Sequence, residues 1–361
     1  MRVLTLNPGS SSMKVSLIAD GVAVGWTAWD LADPGAVAQA IRRWSDVDVV
    51  AVRFVHGGSQ KVPAVVDDAL LANLERLTSL APNHQPLSLE VTREVRRLLP
   101  DIPVVACFDT AFHADMPEAA SRYPLPRSWT VQKRLRRYGF HGLSCQYALH
   151  RTAELLGRAP DELQLVCAHV GAGVSVTAIR DGHGVDTSMG FTPLEGAMMA
   201  TRSGSVDPGL LLHVMQTAPM SPAEMADALF HRSGLAGMSG TNGDLRSVLA
   251  AAAHGKRDAE VALDVYRHRL RREIGAAATS LSKLDAVVFT GGVAEYQPEV
   301  ITSVLDGLGV LGLRAGGVPH TDVDRIVTAA DSPVPALIVR PREDLELASG
   351  AEEALARLAV R

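Results

Sequence analysis

Cysteine is scarce. Cys107, Cys145 and Cys167 are the only three in 361 residues, and they are too widely spaced for a metal-ligand or redox pattern. Two of them lie in apolar runs, where a cysteine is usually a small buried hydrophobe. A disulfide framework is excluded, and a reducing cytoplasm is the expected setting. A basic excess is also missing: 35 Lys and Arg stand against 40 Asp and Glu, for a net charge of −5. A nucleic-acid binder would carry the opposite balance. The one dense basic run, Lys133 to Arg137, reads as a solvated turn. No window reaches the roughly 18 uninterrupted apolar residues of a membrane span, and no basic-then-apolar leader opens the chain. Neither membrane insertion nor secretion is expected. Low-complexity linkers are absent too. What is present is 47% apolar and 21% charged residues, in a chain long enough for about two domains.

Val3 to Leu6 reads as a strand, 7–14 as a tight turn, and Val15 to Ile18 as a returning strand ending at Asp20-Gly21. The same pattern recurs downstream. A strand at 163–168 precedes a turn from His169 to Gly173 and a second strand, Val174 to Ile179, ending at Asp181-Gly182. Aligning Asn7 with His169 also aligns Gly9 with Gly171. A repeat of this size points to two related domains, each opening on a β-hairpin. Each turn would expose backbone N–H groups able to cradle a phosphate.

Between the hairpins, Val49 to Val52 is an apolar strand running into Arg53. Leu87, Val91, Val95 and Leu98 recur at helical spacing, which predicts a helix over 87–99. Pro103 to Cys107 is a buried strand with Asp109 just past its carboxyl end, where α/β sheets place ligand-binding residues. Taken alone, an aspartate there is more simply a cap or turn residue. In the second half, Leu263, Tyr266, Leu270, Ile274, Ala277 and Leu281 predict a long helix. It feeds the strand Ala286 to Phe289, and Gly291-Gly292 then allow close backbone approach to a ligand. A last strand, Ala336 to Val339, leads into a C-terminal helix over 345–358.

Residues 186–208 fit neither period, because Gly190, Pro193, Gly196, Gly204 and Pro208 interrupt every apolar run. Long irregular segments inside compact domains are usually functional. Here hydroxyls and backbone amides crowd around one cation, Arg202. Composition leaves two readings open: a clamp for an anion such as a phosphoryl group, or a long solvated surface loop.

FDTAFH at 108–113, RYGFHG at 137–142, and DTSMGFTPLEG at 186–196 running on to TRSG at 201–204 resemble the acetate kinase family. That family lies within the actin-like ATPase superfamily. The resemblance covers almost the whole chain. It implies an α/β protein of two ribonuclease-H-like domains, residues 1–110 plus 343–361 and residues 111–342, with an active-site cleft between them. Nucleotide binding and homodimer formation fall to the second domain. The implied reaction is reversible, in-line transfer of the γ-phosphoryl group of ATP to a small carboxylate, acetate or a close analogue, giving an acyl phosphate and ADP.

By the same resemblance, Arg53 and Arg202 hold the carboxylate and the transferring phosphoryl, and His141 and His169 contact the phosphoryl. Asp109, Asn7 and Glu343 position Mg²⁺ (or Mn²⁺) and its waters. Val55, Asn83, His84, Phe140 and Pro193 line the acid site. Lys14, Gly171, Gly173, Asp244, Leu245, Arg246, Gly291 and Gly292 serve the nucleotide. A different short or polar acid, or a catalytically weak nucleotide-binding role, is the alternative reading.

Several departures from the family pattern stand out. Ala172 replaces an asparagine in the second hairpin turn, and Asn83 replaces a leucine of the acyl pocket. The nucleotide loop reads GGVAEY at 291–296, and PRED at 341–344 replaces Thr-Asn-Glu-Glu, so the metal carboxylate is either Glu343 or Asp344. The segment between the first hairpin and Arg53 is also short. An unpaired buried amide costs about 1–3 kcal/mol, so Asn83 either meets a polar group on the acid or turns away to bond the backbone.

Overall fold

The computed structural model describes residues 1–9, 12–30, 35–82, 84–132, 135–218, 220–317 and 323–360. The chain divides into two compact units. One comprises Met1–Asp115, Phe140–Tyr147 and Arg342–Arg361, and the other Met116–Gly139 and Ala148–Pro341. Residues 111–115 and 140–147 therefore group with the first unit, whereas the sequence reading had put them in the second domain. The reason is packing. Leu143 is buried in a first-unit core with Val3, Val49 and Leu347, and His113 Nε2 bonds the Phe140 carbonyl at 3.1 Å.

The first unit holds strands β1 (Arg2–Pro8), β2 (Ser12–Ala19), β3 (Val22–Asp30), β4 (Val49–Phe54), β5 (Ala64–Val65) and β6 (Val104–Phe108). They form one sheet in the order β3-β2-β1-β4-β6-β5. β1, β2 and β3 make an antiparallel meander, β4 and β6 run parallel to β1, and β5 is antiparallel to β6. The second unit holds β7 (Leu165–Val170), β8 (Val174–Arg180), β9 (His183–Thr187), β10 (Ala286–Thr290), β11 (Arg325–Ile326) and β12 (Ala336–Ile338). Its order is β11-β12-β10-β7-β8-β9, the same arrangement and the same strand senses. The hairpin repeat seen in the sequence is thus the start of a duplicated six-stranded sheet.

The Asp-Gly pairs turn out to be turns into a third strand. Asp20 and Gly21 have φ of 48° and 77°, and Asp181 and Gly182 have φ of 53° and 80°. Positive φ at both positions is the two-residue hairpin turn whose twist matches its strands.

Both faces of the first sheet are covered, which is why its parallel strands read as unbroken apolar runs. Leu4, Leu6, Val50, Val52, Phe54, Ala106 and Phe108 pack on one side with Leu89, Val91 and Val95 of the helix Gln85–Leu98. The alternate residues, Val3, Val49, Ala51, Val105 and Cys107, face Leu347, Ala348 and Ala351 of the C-terminal helix Glu343–Ala359. All three cysteines are free and buried, and burial pushes the Cys107 thiol well above its ordinary range. Among the described residues no helix is long and apolar enough to cross a membrane.

Candidate active site

In the first unit the carboxyl ends of three neighbouring strands deliver side chains to one place. Asn7 lies at the end of β1, in register with Lys14 of β2. Arg53 is the next-to-last residue of β4, and Asp109 follows β6 with its N–H on the Phe54 carbonyl at 3.0 Å. Arg53 donates through Nη2 to Asp109 Oδ2 at 2.7 Å, and through Nε to Oδ2 and Oδ1 at 3.2 and 3.3 Å. Its Nη1 reaches Asn7 Oδ1 at 3.1 Å and lies 3.5 Å from Glu343 Oε2. Asn7 Nδ2 completes the ring by donating to Glu343 Oε2 at 2.7 Å. The adjacent Asp344 instead pairs with Arg342 at 2.9 and 3.0 Å.

Two carboxylates share one guanidinium in a site where Asp109 is wholly buried and Arg53 only 12% exposed. Burial pushes the Asp109 carboxyl above the ordinary carboxylate range, against the pull of Arg53, and Glu343 adds to the push. Burial alone would lower the Arg53 pKa, but Asp109 and Glu343 hold it above the usual value. The formal surplus is one negative charge, a setting that favours a further cation.

His141 stands beside this cluster in a left-handed conformation, φ 57°. The following Gly142 explains how: a Cβ there would collide with the Asp109 carbonyl oxygen, so only glycine lets the chain pass so close. Val55 and Phe140, which the resemblance implies for the acid site, lie next to His56 in this unit. Val55 and Phe140 are buried, and the His56 ring meets Phe140 edge-on at 5.9 Å. Burial pulls the His56 pKa down to about 4, leaving the ring neutral. Gln85 clamps the same residue by its backbone. The His56 N–H donates to Gln85 Oε1 at 3.3 Å, and Gln85 Nε2 donates to the carbonyls of His56 and Leu74 at 3.0 and 3.2 Å. His84 is the residue before this helix and is half-buried. Asn83 lies outside the described residues.

In the second unit His169 is the next-to-last residue of β7, opposite Thr290 of β10. Gly171 N–H donates to the Gly173 carbonyl at 3.0 Å, closing the β7–β8 turn. Gly291 lies against the Val170 backbone, with Gly292 opening the helix behind it. The turn is tied to the irregular segment after β9, because Ala200 N–H donates to the Ala172 carbonyl at 3.1 Å. Asp244 caps the helix Leu245–Ala253 and holds Arg246 at 2.7 and 3.1 Å, near the surface. Thus the residues 169–173, Arg202 and Gly291-Gly292 are brought into one neighbourhood of this unit.

Arg202 donates through Nη1 to the Pro193 carbonyl at 3.0 Å and touches Met199 Sδ at 3.8 Å. Among the described residues no carboxylate pairs with it. Burial accordingly lowers its pKa, in contrast to Arg53. A guanidinium desolvated without a counter-charge is a site prepared for an anion.

Sequence reasoning overlooked Gln85, which bonds His56 29 positions away and Leu74 11 positions away, and Glu195, whose partners lie 58 and 72 positions away.

The acetokinase family profile matches residues 35–349. An acetate kinase from Synechococcus sp. is 39% identical, over 98% of this chain and 99% of that protein. The crystal structure of Porphyromonas gingivalis acetate kinase has a TM-score of 0.88 at 31% identity, covering 98% of this chain and 99% of that one. A propionate kinase from Francisella tularensis also scores 0.88, at 29% identity over 97% and 98% of the two chains.

Proposed function

The chain belongs to the acetokinase family and is an ATP-dependent carboxylate kinase, and we propose that acetate or a close analogue is its acceptor, with the transferring phosphoryl received by Arg202. The observation that carries this reading is the half-buried Arg202 guanidinium, bonded to the Pro193 carbonyl and with no carboxylate partner among the described residues. A carboxylate is already a nucleophile at neutral pH, its reference pKa being about 4, so the reaction needs no general base. One carboxylate oxygen attacks the γ-phosphorus while the bond to the β-bridging oxygen breaks, and ADP leaves with the electron pair. An anion must approach a polyanion, so the protein's task is positioning and charge neutralisation. Arg53 orients the acid, and His141 and His169 donate to phosphoryl oxygens. The turn carrying Gly171 and Gly173, with Gly291-Gly292 and Asp244 to Arg246, receives the nucleotide, and Lys14 supports its phosphates.

A divalent metal fits the donor set. Asp109, Glu343 and the Asn7 carbonyl oxygen are hard oxygen ligands around a net negative charge. Among the described residues no group of three or more His, Cys, Asp or Glu could hold a metal. Mg²⁺ needs only one or two carboxylates, its remaining ligands being waters and substrate phosphates. When bound, it would neutralise phosphoryl oxygens. We assign the carboxylate role to Glu343, since it joins the Asn7–Arg53–Asp109 cluster while Asp344 pairs with Arg342 outside it.

Release of ADP, or hydroxamate formation, across a panel of short acids tests the activity. The panel also reads the acceptor. If Asn83 faces the acid, Asn83→Leu is expected to move preference from glycolate and lactate toward acetate and propionate by roughly tenfold, the value of about 1.4 kcal/mol of lost pairing. Identical profiles for the variant and the wild type would remove Asn83 from the acid site.

We also propose a homodimer formed through the second unit. Leu210 and Leu212 of the helix Pro208–Thr217 are 54% and 61% exposed, and Met215 joins them. No residue of this helix is buried within the chain, which suits a face completed by a second copy. Light scattering coupled to size exclusion should give twice the chain mass for the wild type and the monomer mass for Leu210→Glu/Leu212→Glu. A monomeric wild type would end this assignment. Three buried free thiols suit a cytoplasmic setting.

A further inference from the structure

Inside the loop that carries Arg202, one carboxylate is gripped from two sides. Glu195 Oε1 accepts from Arg137 Nη2 at 2.6 Å, and Glu195 Oε2 accepts from the Tyr123 hydroxyl at 2.6 Å. Both partners come from the stretch 116–139, far away in sequence. Each also holds the loop's backbone: Arg137 Nη1 donates to the Ser188 carbonyl at 3.0 Å, and the Tyr123 oxygen accepts from Phe191 N–H at 2.8 Å. Tyr138 N–H adds a bond to the Gly190 carbonyl at 3.0 Å. The guanidinium of Arg137 stacks over the Tyr123 ring at 5.5 Å. Gly190 makes room for this knot, because a Cβ there would overlap both the Glu195 carboxylate and the Tyr123 hydroxyl.

Two residues before Glu195 stands Pro193, whose carbonyl is the anchor of the Arg202 guanidinium. On the far side of Glu195, Gly196 and Ser205 exchange two bonds, the Gly196 N–H to Ser205 Oγ at 3.0 Å and the Ser205 N–H to the Gly196 carbonyl at 2.8 Å. The segment 191–205 is therefore pinned at Glu195 and closed at its neck. Fixing Glu195 fixes the direction of the Pro193 carbonyl, and with it the guanidinium that depends on it.

We propose that Glu195, held by Arg137 and Tyr123, is a positioning residue of the kinase reaction: it acts through the Pro193 carbonyl to aim Arg202. The inference rests on the reading of Arg202 as the phosphoryl-receiving group. Glu195 touches neither substrate nor phosphate. Its effect is on the geometry of one donor, and displacing a donor by about 1 Å can cost as much as a hundredfold in rate.

The test is a double-mutant cycle on the full-length protein, read by steady-state kinetics with acetate and ATP. Glu195→Gln keeps the shape and the tyrosine bond but removes the charge. It is expected to lower kcat roughly tenfold to a hundredfold, leaving the acetate KM and the ATP KM within about twofold. Tyr123→Phe, which removes one bond only, is expected to give a smaller loss of the same kind. It serves as the second probe should Glu195→Gln fold poorly. In an Arg202→Ala background, Glu195→Gln should cost less than about twofold more, since its route of action is already gone. An equal fold-loss in both backgrounds, or wild-type kcat in both single variants, overturns the inference while Arg202→Ala keeps its own loss of about a hundredfold. Near-normal turnover in Arg202→Ala overturns the clamp reading itself, and the inference with it.

Discussion

Arg202→Ala is expected to lower turnover by about a hundredfold or more, the usual effect of removing one preorganised donor worth about 2.7–4 kcal/mol. The structure gives the reason. Arg202 sits in a segment with no regular secondary structure, held by backbone bonds to the β7–β8 turn and by the Gly196–Ser205 pair. Only its Nη1 is used, toward the Pro193 carbonyl and Met199 Sδ. The rest of the fork has no partner among the described residues. A cation partly withdrawn from water and left unpaired stabilises little in the resting protein, so its removal should leave the melting temperature almost unchanged. The same property makes its interaction with developing phosphoryl charge strong. Arg202→Lys should rescue poorly, because an ammonium restores the charge without the planar fork. The measurement is kcat in the acetate-dependent ADP-release assay beside a thermal melt. Turnover near wild type with an intact fold would remove Arg202 from the reaction.

The parts of this protein legible in its sequence are those set by local period and local turn chemistry. The strands Val3 to Leu6 and Pro103 to Cys107 announce themselves because both of their faces are buried. The helix Gln85–Leu98 shows its apolar face at the expected spacing. β3 was hidden because it is an edge strand with Val22, Val24 and Trp26 exposed, so neither an apolar run nor a clean alternation marks it. The Asp-Gly pairs looked like endings for the same reason, although each is a turn into the next strand. Asp109 is marked by its place past a strand end, where a cap is the simpler reading, and Arg53 is reached only through the family resemblance. Glu195 and Gln85 were not readable, because what they do lies in bonds to residues brought near only by folding. Glu343 is the extreme case: its partner Asn7 is 336 positions away, and no local pattern could separate it from Asp344. In the fold Glu343 joins Asn7 and Arg53, whereas Asp344 pairs with Arg342.

Arg53→Ala is expected to lose turnover on the same scale as Arg202→Ala, about a hundredfold or more, but with a second consequence that Arg202 lacks. Arg53 is the counter-charge of a completely buried Asp109 and lies close to Glu343. Removing one partner of a buried ion pair typically destabilises by about 3–5 kcal/mol, because the remaining charge is left uncompensated. The variant should therefore melt well below the wild type. The pH dependence has a definite sign. Burial already pushes the Asp109 carboxyl up, and without Arg53 the folded-state pKa rises further above the unfolded value of about 3.9. Between those two pKa values the folded state binds more protons than the unfolded state, so stability falls as pH rises through the window. The deficit of Arg53→Ala should shrink as pH is lowered toward the unfolded pKa. Adding Asp109→Asn removes the orphaned charge and should recover much of the lost melting temperature at neutral pH, while turnover stays low because neither group is available for the reaction. Thermal melts across pH, beside kcat for the single and double variants, separate the two roles. A melting temperature for Arg53→Ala equal to that of the wild type at neutral pH would show that Asp109 does not depend on Arg53 for its charge.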